Sequence, residues 1–216
     1  MNYKNITFIC LCSVLLPACS SDSSTTPAAT VTGSITTKMT LAGLPATLPI
    51  NMSSTPNGST EYYWRVIFDI DKNKATSTGD IYLILRHSKL TGSTATNAAM
   101  TTFNAEVYEY SSTSSSTKIT DAVASVTGNT LTLSVAKSKH ASLQNVNNTA
   151  LAQFRASAYK SNGTLYGDSY PVENSVTTFM SIPADGKFTD DVLDLSVLLS
   201  LDVTFIDLQT MEIIID

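Results

Sequence analysis

The densest set of metal-ligating oxygens in the chain lies in the stretch DIDKNKATSTGD, from Asp69 to Asp80. Asp69, Asp71, Asn73 and Asp80 offer carboxylate or amide oxygens, and Thr76, Ser77 and Thr78 add hydroxyls. Hard oxygens at this density suit Ca2+, which takes about six to eight of them. Asp69, Asp71, Asn73 and Asp80 are therefore the candidate metal ligands, with Ca2+ as the candidate cofactor. The competing reading is a solvated hairpin loop that turns at Gly79, with Lys72 and Lys74 offsetting part of its negative charge.

The spacing of those four residues overlaps the EF-hand calcium pattern, but three features depart from it. Lys74 stands where that loop takes glycine, Asp80 is shorter than the usual bidentate Glu, and the flanks read as strands rather than helices. No catalytic set accompanies the loop. There is no Gly-x-Ser-x-Gly elbow, His-x-x-x-His pair or phosphate-cradling glycine loop. Any Ser-His-Asp arrangement would have to use His87 or His140, and neither has a supporting context. Glu106 and Glu109 fall on opposite faces of a strand, which separates them as an acid–base couple. The expectation is a protein that is not an enzyme.

All three cysteines, Cys10, Cys12 and Cys19, lie in the first nineteen positions, so nothing later can form a disulfide. Residues 1–18 carry one charge, Lys4, then an apolar run from Ile6 to Leu16. That run is shorter than the roughly 20 residues a membrane-spanning helix needs. It has the layout of a secretory signal peptide. Leu16-Pro17-Ala18-Cys19 resembles the lipobox of bacterial lipoproteins. The resemblance implies cleavage before Cys19, a diacylglycerol on its thiol and acylation of the new amine. Ser20 and Ser21 follow, with no Asp directly after the cysteine, which in Gram-negative lipoproteins implies release to the outer membrane. The expected location is the bacterial cell envelope, lipid-anchored through Cys19. Each buried methylene contributes about 0.8 kcal/mol, so two or three chains make a stable anchor where one is marginal.

Residues 19–34 are rich in Ser, Thr, Ala and Gly and poor in bulky side chains, which is the composition of a flexible tether. Residues 35–216 are then the folded domain. Hydrophobic residues make up 43% of the chain and charged ones only 14%, with Ser and Thr filling much of the remainder. That balance favours strands over a helical bundle. Thirteen basic residues against eighteen acidic ones give a net charge of −5 with no basic cluster, so nucleic acid is excluded as a partner.

Short runs of apolar residues alternating with Ser and Thr recur from Ile35 onward. Tyr62-Arg86 reads as a central hairpin, with Tyr62, Trp64, Val66 and Phe68 on one face and Ile81, Leu83 and Leu85 across from them. Further strands are expected at 102–110, 119–126, 130–135 and 150–159, with a turn at Thr127-Gly128-Asn129, another at Ser161-Asn162-Gly163 and a short helical turn over 136–143. The acidic segment 189–216 reads as two strands, with a helix over 190–200 as the alternative. The predicted fold is an all-β antiparallel sandwich of about nine to ten strands, immunoglobulin- or jelly-roll-like.

The layout W-x-V-x-F-D-I-D-x-N…T-G-D-I-Y-L, followed by G-N-T-L-T-L-S-V, resembles secreted bacterial β-sandwich domains of the DOMON and family-9 carbohydrate-binding type over residues 61–171. The resemblance implies binding of a sugar or of haem. Exposed aromatic platforms serve the sugar binders, and Tyr63, Tyr82, Tyr108 and Tyr110 are the candidates here. A haem would draw an axial ligand from His87, His140 or a methionine. Two functions follow as expectations. One is a membrane-anchored lipoprotein displaying a carbohydrate-binding sandwich with a structural Ca2+. The other is an assembly lipoprotein of the envelope that docks a protein partner through its acidic strands at 189–216.

Overall fold

Period-two alternation of apolar with hydroxyl side chains produces two antiparallel sheets that bury their apolar faces against each other. The computed structural model describes residues 32–44, 47–49, 59–88, 97–99, 104–160, 165–171, 179–190 and 204–216. Among these, the first strands in chain order are β1 (Ser34–Leu41), β2 (Thr47–Pro49), β3 (Ser59–Asp69), β4 (Ile81–Ser88) and β5 (Asn97–Ala99). β6 (Asn104–Tyr110), β7 (Ser116–Asp121), β8 (Val123–Thr127), β9 (Thr130–Ala136) and β10 (Leu151–Lys160) follow. β11 (Leu165–Tyr170), β12 (Met180–Ser181), β13 (Lys187–Thr189) and β14 (Leu208–Ile215) complete the series. Ten of the strands are five residues or longer, and the extra four are the short β2, β5, β12 and β13. No α-helix occurs among the described residues.

One sheet runs β13-β14-β1-β9-β8 and the other β11-β10-β3-β4-β6-β7, with β12 paired to the start of β10 and β2 paired to β5 apart from both. The expected hairpin is therefore central: β3 lies between β10 and β4, in register Trp64↔Leu85 and Val66↔Leu83. Its two apolar faces explain that position, because a strand at the middle of a covered sheet has no solvated side. Trp64, Val66 and Phe68 face the shared core, where Ala152, Phe154 and Ala156 of β10 meet Leu131 and Leu133 of β9 and Leu208 and Ile213 of β14. The buried Trp64 indole N–H donates to the carbonyl of Phe205 at 2.8 Å, so its one polar atom is satisfied.

Several local expectations change in detail. The run 119–126 is not one strand. β7 and β8 belong to different sheets, and the chain passes from one to the other at Ala122. Val123, just beyond the crossing, is 72% exposed on the edge strand β8. Phe205, read as a strand position, lies in a turn and packs against the core. The turn at Gly128-Asn129 forms as expected: Thr127 pairs with Thr130, and Gly128 takes φ 57°, which a type II′ hairpin turn needs at its first position. Over 136–143 the chain makes two 3-10 turns, Lys137–Lys139 and Ala141–Asn145.

Ser34, assigned to the tether, is the first residue of β1. Its hydroxyl donates to the Asp216 carboxylate at 3.0 Å, while the Asp216 amide donates to the Ser34 carbonyl. Lys137 closes the same corner, its ammonium donating to the Asp216 carbonyl at 2.8 Å and its amide to Gly33. Gly33 takes φ 104° against the Asp216 backbone, where a side chain would collide. β14, the C-terminal strand of the acidic segment, is paired on both sides, with β1 throughout and with β13 at Thr210–Glu212. Among the described residues, β13 covers the middle of its outer edge. Residues 191–203, where the strand-or-helix alternative falls, lie outside the described residues, as do 1–31 and the turn at 161–163.

Candidate functional site

Asp69 ends β3, and Asp80 precedes β4, so the hairpin itself sets two carboxylates across from each other at the mouth of the loop. Both are 0% exposed. Asp71 is exposed, and one carboxylate oxygen from each of the three lies within 4.8 Å of the others. The structure thus brings together three of the four sequence-predicted ligands.

Each carboxylate also organises the loop backbone. Asp69 accepts the Lys72 amide at 2.7 Å on one oxygen and the Lys74 amide at 2.8 Å on the other. Asp80 accepts the Ile70 amide at 2.8 Å and the Ser77 amide at 2.7 Å. The Ser77 hydroxyl has one proton and two acceptors in reach, Asp71 at 2.9 Å and Asp80 at 3.2 Å. Asn73 is spent inside the loop, its side-chain amide donating to Asp71 at 2.8 Å and its carbonyl accepting from Ala75 at 2.8 Å.

Lys72 and Lys74 are held at φ 61° and 65°, the left-handed region that non-glycine residues adopt at a cost. Lys74 therefore takes the backbone shape that the missing glycine would have supplied. The loop is also tied to its neighbour at 111–115: Thr76 donates to the Thr113 carbonyl, Thr78 to the Ser111 carbonyl and the Gly79 amide to Tyr110.

Burial, helped by the nearby Asp71 and Asp80 and opposed by the two amides, pushes the Asp69 carboxyl up to about 6. Burial likewise raises Asp80 against the hydrogen bonds from Ile70 and Ser77. For Asp71 desolvation pushes upward, but the hydrogen bonds from Ser77, Asn73 and Asp69 together outweigh it, and its pKa falls. Three carboxylates this close repel one another; the backbone amides offset part of that repulsion, a shared proton or a counter-cation would offset more, and the oxygens suit a hard cation.

Tyr63, Tyr82, Tyr108 and Tyr110 do come together, on the face of the larger sheet turned away from the shared core. They do not form an exposed platform. Tyr63 and Tyr82 are 7% exposed and Tyr110 8%, and with Ile67, Ile84, Leu151 and Phe179 they build a second, smaller core. Cross-strand register explains the packing. Tyr82 sits directly opposite Tyr108, and their rings stack at 5.0 Å with planes 3° apart. The Arg65 guanidinium lies 5.4 Å from the Tyr82 ring and 5.6 Å from Tyr63, using the faces a sugar would need. The Tyr82 hydroxyl pairs with Ser116 at 2.8 Å, and Tyr108 donates to Glu106 at 3.0 Å. Burial raises the pKa of both Tyr108 and Tyr110.

The other candidates have local roles. His140 Nδ1 accepts the Ser142 amide at 3.3 Å and so caps the second 3-10 turn. His87 pairs through its backbone with Tyr62. Glu106 binds Lys118, whereas Glu109 accepts the Ser142 hydroxyl, which confirms that the two glutamates face opposite ways.

A groove that sequence reading did not find lies on the outer face of the smaller sheet. It encloses about 350 Å³ and is lined by Lys38, Thr40, Lys187, Thr189, Thr210 and Glu212, among others. Lys38 and Lys187 are cross-strand neighbours of Glu212 on its two sides, and Lys38 bridges to it at 2.6 Å. Alternation alone marks these residues as outward-facing, but their neighbourhood depends on pairing between strands far apart in the chain.

Against known proteins, the chain matches no family model, no curated protein and no solved structure.

Proposed function

We propose that this chain is a lipid-anchored protein of the bacterial envelope that displays a β-sandwich binding module for carbohydrate. The observation that carries the anchor is Leu16-Pro17-Ala18-Cys19, placed after a short apolar run and followed by no further cysteine. Residues 1–18 are the signal peptide, and Cys19 bears the lipid that holds the module to the outer membrane. No catalytic role is part of this reading.

Burial of three of the four tyrosines removes the aromatic platform from the sugar hypothesis. What supports a hydroxylated ligand instead is the threonine-lined groove, where the Lys38–Glu212 pair supplies donors and an acceptor side by side. The Asp69-Asp71-Asp80 cluster is a structural Ca2+ site in this reading, its backbone already folded around the carboxylates. The alternative reading, an assembly lipoprotein that docks a protein partner through its acidic strands at 189–216, would use a segment of which β14 is built into the smaller sheet between β1 and β13.

Metabolic labelling with a palmitate analogue tests the anchor. Wild-type protein is expected to carry label and sediment with membranes, and Cys19→Ser to do neither. Polysaccharide pull-down tests the module: binding lost in Thr210→Lys supports the groove, and a blank across plant, algal and bacterial glycans removes the carbohydrate reading. Calcium is expected to raise the melting temperature of wild type and leave Asp71→Ala unmoved.

A further inference from the structure

The corner where the chain enters the sandwich and the acidic loop lie at one pole of the domain. Gly33 and Ser34 are fixed against Asp216 and Lys137, at the end of β9. From that end the chain crosses through the two 3-10 turns to β10, whose first residue, Leu151, pairs with Asp69 at the mouth of the loop. Ser142 in the crossing bonds to Glu109, which pairs with Ile81 directly after Asp80. Loops 69–80 and 111–115 are joined to each other by Thr76 and Thr78. The opposite pole carries the β8–β9 turn at Gly128-Asn129, reached at the far end of β1 through the Leu41 amide and the Asn129 carbonyl.

We infer that the pole bearing loops 69–80 and 111–115 faces the lipid headgroups, and that the β8–β9 turn is held away from them. The inference rests on lipidation of Cys19. Between Cys19 and Gly33, a chain of flexible-spacer composition has an r.m.s. reach of about 20 Å and an extended limit of about 50 Å. β3, with 11 residues, spans about 36 Å from pole to pole. Bringing the far pole to the membrane would pull the tether back along the whole domain, to nearly twice its r.m.s. length. The near pole needs no such stretching.

The mature chain has no cysteine other than Cys19, so a single introduced thiol reports one position. Full-length protein is expressed with Ser114→Cys at the near pole or Thr127→Cys at the far one. It is then labelled with a fluorophore and reconstituted in phosphatidylethanolamine–phosphatidylglycerol vesicles carrying a headgroup quencher. Loss of fluorescence at position 114 with little loss at 127 is the expected result. Equal loss at both, or greater loss at 127, in acylated protein overturns the orientation alone. Absence of acyl chains on Cys19 by mass spectrometry overturns the anchor, and the orientation with it.

Discussion

The Asp80 carboxylate accepts the amide of Ile70 at 2.8 Å, so one side chain closes the loop across the ten positions that separate them. Its second oxygen takes the Ser77 amide, and the group is fully buried. Asp80→Ala leaves two backbone donors without their charged acceptor and is expected to cost about 2–3 kcal/mol in urea denaturation. Asp71→Ala, at the exposed side of the same cluster, is expected to cost less than about 1 kcal/mol in the absence of calcium.

Asp69 sets a pH dependence whose sign is unusual for a carboxylate. Its folded pKa, about 6, is above the 3.8 of the unfolded chain, so the native state binds the proton more tightly. The contribution of Asp69 therefore favours folding at low pH and is lost as pH rises from about 4 through 6. Melting temperatures from pH 4 to 7 in chelator test this: Asp69→Asn is expected to show a smaller decline than wild type. Calcium is expected to flatten the wild-type profile by stabilising the ionised form.

Lys74 is exposed and held at φ 65°. Lys74→Gly relieves that left-handed strain and is expected to stabilise the domain by about 0.5–1 kcal/mol, even though glycine adds freedom to the unfolded chain. Lys38→Gly, in mid-strand, is expected to do the opposite. Equal effects at the two positions would show that the backbone of the loop is unstrained.

Trp64 is the single tryptophan of the chain and is 0% exposed. Its emission is expected to be blue-shifted in the folded protein and to move to the red in one transition on unfolding. Trp64→Phe leaves the Phe205 carbonyl without its indole donor and is expected to cost about 1–3 kcal/mol.

Truncation after Asp207 removes β14, which separates β13 from β1 and contributes Leu208, Met211 and Ile213 to the core. The truncated chain is expected to lose its cooperative thermal transition altogether. A folded product, read by circular dichroism, would mean that β1 and β13 can close the sheet without it.

Strand positions were legible where a side-chain period of two could be read locally. Trp64, Val66 and Phe68 opposite Leu83 and Leu85 follow from alternation alone, and so does the core face of β10. The sheet change at Ala122 was not legible, since Ile119 to Val126 reads as one weak strand with no turn residue inside it, and only pairing assigns its two halves to different sheets. The tyrosines show the same limit from the other side. Alternation groups Tyr63, Arg65 and Ile67 on one face, but whether that face is wet depends on Phe179 and Leu151, far along the chain. For the loop, composition pointed to the three aspartates, while their backbone partners and the left-handed lysines follow from the closure of β3 onto β4.

The crossing at Ala122 also bears on how the molecule comes apart. β7 and β8 belong to different layers yet are joined by one residue, so neither sheet can peel away without dragging on the other. The chain changes layer again between β9 and β10 and between β12 and β13. Force applied through the N-terminus enters at β1, a strand inside the smaller sheet, and is passed to both layers by these staples. Native-state hydrogen exchange should therefore show the slowest amides of both layers opening together, as one foldon rather than two.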